Sequence, residues 1–206
     1  MRRAEPARDQ RMLLTGVSWD QYIALSELFN GRPSVRLTYI DGVLEIMTTG
    51  PLHERLKTLL ARLLEVYALA RGVRLHGYGS TTYRRKAKKR GLEPDECYFV
   101  GEVDGPFPHL AIEVAISSGG LDKLPVYAGL GVREVWIWKK GRLTVHRFQS
   151  GTYVPAVRSA LLPALDLEEL ARFATIEDQP EAVAAYFTHL TRRTTPRRAK
   201  KARSRR

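Results

Sequence analysis

The chain has 206 residues, 44% of them hydrophobic and 27% charged, which suits one globular domain with its own core. A single cysteine, Cys97, excludes an intrachain disulfide and a cysteine-based zinc site, and no apolar run approaches the roughly 20 residues needed to span a bilayer. The net charge of +12 is uneven: residues 192–206 hold nine of the 34 Lys and Arg and no acid, leaving about +3 for the rest.

The basic N-terminus is followed by no secretory apolar core, so a soluble, cytoplasmic protein is expected. Residues 1–15 read as a flexible basic arm, 16–190 as the domain, and 191–206 as a disordered basic tail able to attract nucleic-acid phosphates without sequence preference. Ser18 is placed to cap a helix over Trp19–Phe29, with Gln21 at the capping-box position. Val35–Ile40 and Val43–Thr48 flank Asp41-Gly42, a strong hairpin signal because both turn residues must take positive φ. Pro51 opens a long helix to Arg71, which Gly72 ends. Its leucines, with Tyr67 and Ala70, keep the helical period and form a stripe suited to a sheet. On the same wheel Glu54 points to solvent and His53 lies at the stripe's edge.

Val73–Tyr83 reads as a strand, and the run Arg84, Arg85, Lys86, Lys88, Lys89 and Arg90 as a charged loop and nucleic-acid contact. Strands follow near Glu96–Val100 and Leu110–Ile116, separated by the Gly- and Pro-rich loop Gly101–Pro108. Leu121–Leu130 is a short helix, since Pro125 fits only a first turn, with Asp122 near its cap. Glu134–Lys139, Leu143–Phe148 and Tyr153–Pro155 read as strands, and Asp166–Phe173 and Pro180–Leu190 as helices. Helices between groups of strands predict an α/β (mixed α+β) fold, a central mixed sheet flanked by helices.

The chemistry concentrates between Gly91 and Lys123. Pro94-Asp95 stands at the mouth of an apolar strand, where a carboxylate can project past a sheet edge. Glu113 lies inside an apolar run, on the strand face it shares with Ala111 and Ala115. A carboxylate buried there needs a partner or a metal. Lys123 sits at a helix start, where the dipole disfavours a cation, so helix stability does not call for it. Two carboxylates, water and phosphate oxygens suit Mg²⁺ or Mn²⁺. The sequence therefore assigns Asp95 and Glu113 as metal ligands, and Asp95, Glu113 and Lys123 as catalytic residues of a phosphodiester hydrolase. The histidines show no ligand spacing, and no Ser-His-Asp or phosphate-loop signature occurs.

In order, Asp41-Gly42, His53-Glu54, Pro94-Asp95, Ile112-Glu113-Val114, Asp122-Lys123 and Gly131-Val132-Arg133-Glu134-Val135-Trp136 resemble the Uma-two type of restriction-endonuclease-like proteins, in the PD-(D/E)XK nuclease superfamily. The resemblance covers about residues 16–175. It implies a restriction-endonuclease-like fold and metal-dependent cleavage of nucleic acid, DNA first, with Asp95 and Glu113 as the two acids. The superfamily's lysine stands two residues after the second acid, where this chain has Ala115, and Lys123 would serve from the following helix. His109 stands where many members have a second aspartate. The alternative is a non-catalytic nucleic-acid-binding protein that keeps the fold. No membrane partner is expected, and a homodimer would suit cutting of both strands.

Overall fold

The computed structural model describes residues 9–30, 32, 34–116 and 120–192. They build an α+β fold of two sheets and five α-helices.

The smaller sheet starts from the hairpin. Strands β1 (Gln10–Leu14), β2 (Val35–Ile40) and β3 (Val43–Thr48) are antiparallel, with β3 between the other two. The β2–β3 turn has φ of 46° at Asp41 and 89° at Gly42, the primed geometry that matches strand twist. Helix α1 (Trp19–Leu28) begins at a complete Ser18–Gln21 capping box. It buries Tyr22 against Leu37, Tyr39 and Leu44. The expected N-terminal arm is thus a strand from Gln10 to Leu14, which pairs the otherwise open edge of β3. Residues 1–8 and 193–206 lie outside the described residues, and with them nearly all of the expected tail.

The long helix is α2 (Pro51–Arg71), closed by Gly72 at φ 65°. The strand expected over Val73–Tyr83 is cut short to β4 (Leu75–Gly77), since Gly79 takes a positive φ that breaks the extended run. The basic run is not a loop. It forms a hairpin of β5 (Tyr83–Arg85) and β6 (Arg90–Leu92) around a 3-10 turn at Lys86–Lys88. Strand β6 pairs with β2, so the smaller sheet has the order β1-β3-β2-β6-β5.

The larger sheet is the expected mixed one. It comprises β4, β7 (Glu96–Val100), β8 (Leu110–Ala115), β9 (Glu134–Lys139), β10 (Arg142–Gln149) and β11 (Thr152–Ala156), in the order β11-β10-β9-β8-β7-β4. Strands β8 and β9 are parallel, and the crossover between them carries α3 (Leu124–Leu130). The other pairs are antiparallel. Helices α2, α4 (Leu167–Ala174) and α5 (Gln179–Arg192) cover one face, where Leu59, Leu63 and Leu64 meet Leu110, Ile112 and Val114. Each such leucine contributes roughly 1.5–3 kcal/mol relative to exposure. The period of two turns Ala111 to the other face, against Val126, Tyr127 and Leu130. Glu113 follows on that face, beneath α3. No helix among the described residues is long and apolar enough to cross a membrane.

Candidate active site

Strands β7 and β8 pair through Cys97↔Ala111 and Glu96↔Ile112. Just before β7, Asp95 continues the pairing with its side chain: Oδ2 accepts the Val114 N–H at 2.7 Å. Its carboxylate is wholly buried. The first turn of α2 brings His53 beside it. Nε2 of His53 stands 3.0 Å from Asp95 Oδ1, an ion-pair contact between two buried atoms. On the other side of the ring, Nδ1 lies 3.0 Å from Asp9 Oδ2. Asp9 Oδ1 accepts the N–H of Gly50, which caps α2 with no side chain of its own. The imidazole is thereby held between two carboxylates. Burial alone would lower its pKa, and Asp95 and Asp9 outweigh that and raise it.

Glu113 meets the other half of the site. Lys123, at the position preceding α3, donates Nζ–H to Oε2 at 2.6 Å. The Tyr127 hydroxyl, one helical turn on, donates to Oε1. The two acids titrate in opposite directions. Burial opposes ionisation of Asp95, but His53, Lys123 and the Val114 N–H outweigh it and hold the carboxyl below the usual range. Burial lifts Glu113 above that range; the Lys123 ammonium opposes the rise and the Asp95 charge adds to it. For Lys123, burial alone would favour the neutral amine, and Glu113 and Asp95 outweigh it and keep the ammonium. Two neighbouring carboxylates with separated pKa values can divide ionised and protonated roles.

Glu113 and Lys123 open on a cavity of about 240 Å³ that Glu45, Arg11 and Leu121 also line. Glu45 is a buried acid on β3. Its Oε2 accepts the Leu121 N–H at 2.8 Å and lies 3.9 Å from Arg11 Nε. It thus anchors the segment that presents Lys123.

Asp95, Glu113 and Lys123 therefore come together in space. The basic hairpin does not join them. Its arginines tie it to the fold: Arg84 donates to Ser26, Arg85 to the Gly129 carbonyl at 3.1 Å, and Arg90 pairs with Asp41 at 2.6 Å. Lys86, Lys88 and Lys89 remain exposed. His109 is a structural residue bound to Asp104 and the Val100 backbone. Sequence reasoning left His53 outside the site and missed Asp9, Glu45 and Tyr127. A helix wheel placed His53 at the edge of the stripe, yet it is 1% exposed. Tyr127 shared a helix with Lys123, the one signal that could have found it.

Among the described residues no group of three or more His, Cys, Asp and Glu is arranged to hold a metal ion. Mg²⁺ needs no such cage, because it is commonly held by one or two carboxylates together with waters and phosphate oxygens. The buried carboxylates of Asp95 and Glu113, close enough for the Asp95 charge to act on Glu113, supply the donor set that mode requires.

A family model named Uma2 and described as "Putative restriction endonuclease" matches residues 19–176. The chain belongs to the Uma2 family. No curated protein matches it. The Uma2 match spans α1 through α4, and with them both acids, Lys123, His53 and Glu45. Asp9 lies before the matched region.

Proposed function

We propose that this protein is a divalent-metal-dependent endonuclease that hydrolyses phosphodiester bonds in DNA. The observation that carries the reading is the wholly buried Asp95 carboxylate, held by His53 and the Val114 N–H and acting electrostatically on the Glu113–Lys123 pair. Asp95 and Glu113 would hold Mg²⁺ or Mn²⁺, which when bound acidifies a water and screens the phosphate. Asp95 supplies a charge that persists at neutral pH, since its carboxyl lies below the usual range. His53 and the Val114 N–H fix its orientation. Lys123 keeps its proton and offers an ammonium to charge developing on the phosphate. Tyr127 holds Glu113 in place. Cleavage of both strands would engage two copies of the chain about a two-fold axis.

One observation favours a second reading, a nucleic-acid-binding protein without activity. Both Glu113 oxygens are already hydrogen-bonded, to Lys123 and Tyr127. Calorimetric titration with Mn²⁺, wild type against Asp95→Asn and Glu113→Gln, separates the two, followed by a cleavage assay on duplex and single-stranded DNA. Loss of metal binding in both variants, together with metal-dependent cutting by the wild type alone, is expected. Metal binding that is absent or indifferent to both substitutions, with DNA binding retained, would establish the second reading.

A further inference from the structure

A second depression, of about 650 Å³, adjoins the cavity that holds Glu113 and Lys123. Asp122 and Leu124 line both, so the two spaces meet at the start of α3. One wall is the tip of the basic hairpin, with Lys88 and Arg90. The other is the β10–β11 hairpin, with Phe148 and Tyr153, and α3 forms the floor.

The chemistry of these walls differs from that of the cavity. Lys88 is exposed, and Lys86 and Lys89 flank it in the same turn. Arg90 spends Nη1 on Asp41 and on the Lys88 and Lys89 carbonyls, which holds the turn that presents the lysines, and its guanidinium charge lines the groove. Asp122 is the acid on this surface, and its Oδ1 is occupied by the Leu124 N–H at 3.0 Å. Phe148 and Tyr153 are cross-strand partners with ring centroids 5.5 Å apart. Tyr153 is fixed by its hydroxyl, which donates to the Val132 carbonyl at 2.5 Å. The Phe148 ring is half-buried at the groove.

Cations along one wall and an aromatic ring on the other form a pattern suited to unpaired nucleotides. Phosphates follow the cations, and a base free of its partner stacks on the ring. In a duplex the base faces are already stacked, so an aromatic wall has nothing to take. We propose that this groove binds a single-stranded segment of nucleic acid running away from the Asp95–Glu113–Lys123 site, with its phosphates against Lys88 and Arg90 and one base on Phe148. The inference rests on the nuclease reading only for the purpose of the segment, which would place the scissile bond in the adjoining cavity. A single-stranded flank or overhang is then part of the substrate.

The test uses the full chain, so that the basic tail is the same in every sample. Binding of a fluorescent oligothymidylate and of a blunt duplex is measured by anisotropy for wild type, Lys88→Ala, Phe148→Ala and Phe148→Leu, across a salt series. Phe148→Leu keeps an apolar side chain under Tyr153 and guards against a folding defect. Both Phe148 variants are expected to weaken the single strand roughly tenfold and leave the duplex nearly unchanged. Lys88→Ala should lower the salt slope for the single strand by about 0.7. Ultraviolet cross-linking of an iodouracil-containing strand should label the peptide carrying Phe148 or Tyr153. Unchanged single-strand binding in all three variants, or cross-links confined to residues 192–206, overturns the groove. Equal losses on duplex and single strand overturn the single-stranded assignment. If the groove results hold while the wild type cuts nothing with any divalent metal, the nuclease reading fails and the binding site stands.

Discussion

His53 Nε2 stands 3.0 Å from Asp95 Oδ1, and Asp9 holds the ring from the opposite side at the same distance. A segment before the domain's first helix, the first turn of α2 and the start of β7 thus meet at one imidazole. All three side chains are almost fully buried. Removing the ring would leave two buried carboxylates facing each other without the cation between them. His53→Ala is expected to cost roughly 3 kcal/mol. Urea unfolding of wild type and variant measures it. A loss well under 1 kcal/mol would mean that the carboxylates do not depend on the ring.

The Tyr127 hydroxyl donates to Glu113 Oε1 while Lys123 holds Oε2. Tyr127→Phe removes one charge-assisted hydrogen bond with little change in shape. Stability should fall by about 1.5–3 kcal/mol. Mn²⁺ affinity should not fall, because the substitution frees a carboxylate oxygen. Calorimetry and urea unfolding on the same sample separate the two effects. Metal binding lost together with the hydroxyl would show that Tyr127, rather than Glu113, is the group the metal requires.

Local signals were legible and long-range ones were not. Asp41-Gly42, the Ser18 cap, and Pro51 with Gly72 set turns and helix ends through interactions within a few residues, and the structure has each at its expected place. The alternation across Leu110–Ala115 likewise separated the apolar face from the Glu113 face before any contact was known. Strand β1 was invisible because its stability comes from the open edge of β3, at least 30 residues away. The hairpin β5–β6 was hidden by its charge, since a run of Lys and Arg reads as solvated until its arginines find Ser26, Gly129 and Asp41. His53, Asp9 and Glu45 reach the site only through tertiary packing, and no periodicity encodes that.

Gly120 fixes the segment that carries Lys123. It has φ of 110°, and a Cβ there would lie 2.6 Å from Glu45 Oε2, the oxygen that accepts the Leu121 N–H. Gly120→Ala therefore meets both backbone strain and a displaced carboxylate. A cost of about 1–3 kcal/mol is expected. If Lys123 acts on the phosphate, turnover should drop further than stability explains, with KM little changed. Steady-state kinetics at a temperature where the variant is fully folded decide the point. Unaltered kinetics would show that the seat of Leu121 on Glu45 does not position Lys123.

Glu96 follows Asp95 in the chain, and strand alternation turns it to the opposite face, towards α2. The two neighbouring acids are driven apart: Asp95 lies below the usual range, whereas burial pushes Glu96 up to about 7. Lys57 opposes that rise, and the charges of Glu65, Asp95 and Glu54 add to it. The folded pKa of Glu96 therefore exceeds the ordinary 4.5. Its contribution to stability is fully present below that value and is lost as pH rises through about 7, because the unfolded chain ionises freely while the folded one resists. Glu96→Gln cannot ionise and should escape the loss. In metal-free buffer the variant should match wild type at the acid end and become the more stable of the two above neutrality. Urea midpoints for both proteins across the range reveal the divergence. A difference that stays flat with pH would mean that Lys57 pairs with Glu96 closely enough to cancel its burial, so that the face beneath α2 carries an ion pair and not a protonated acid.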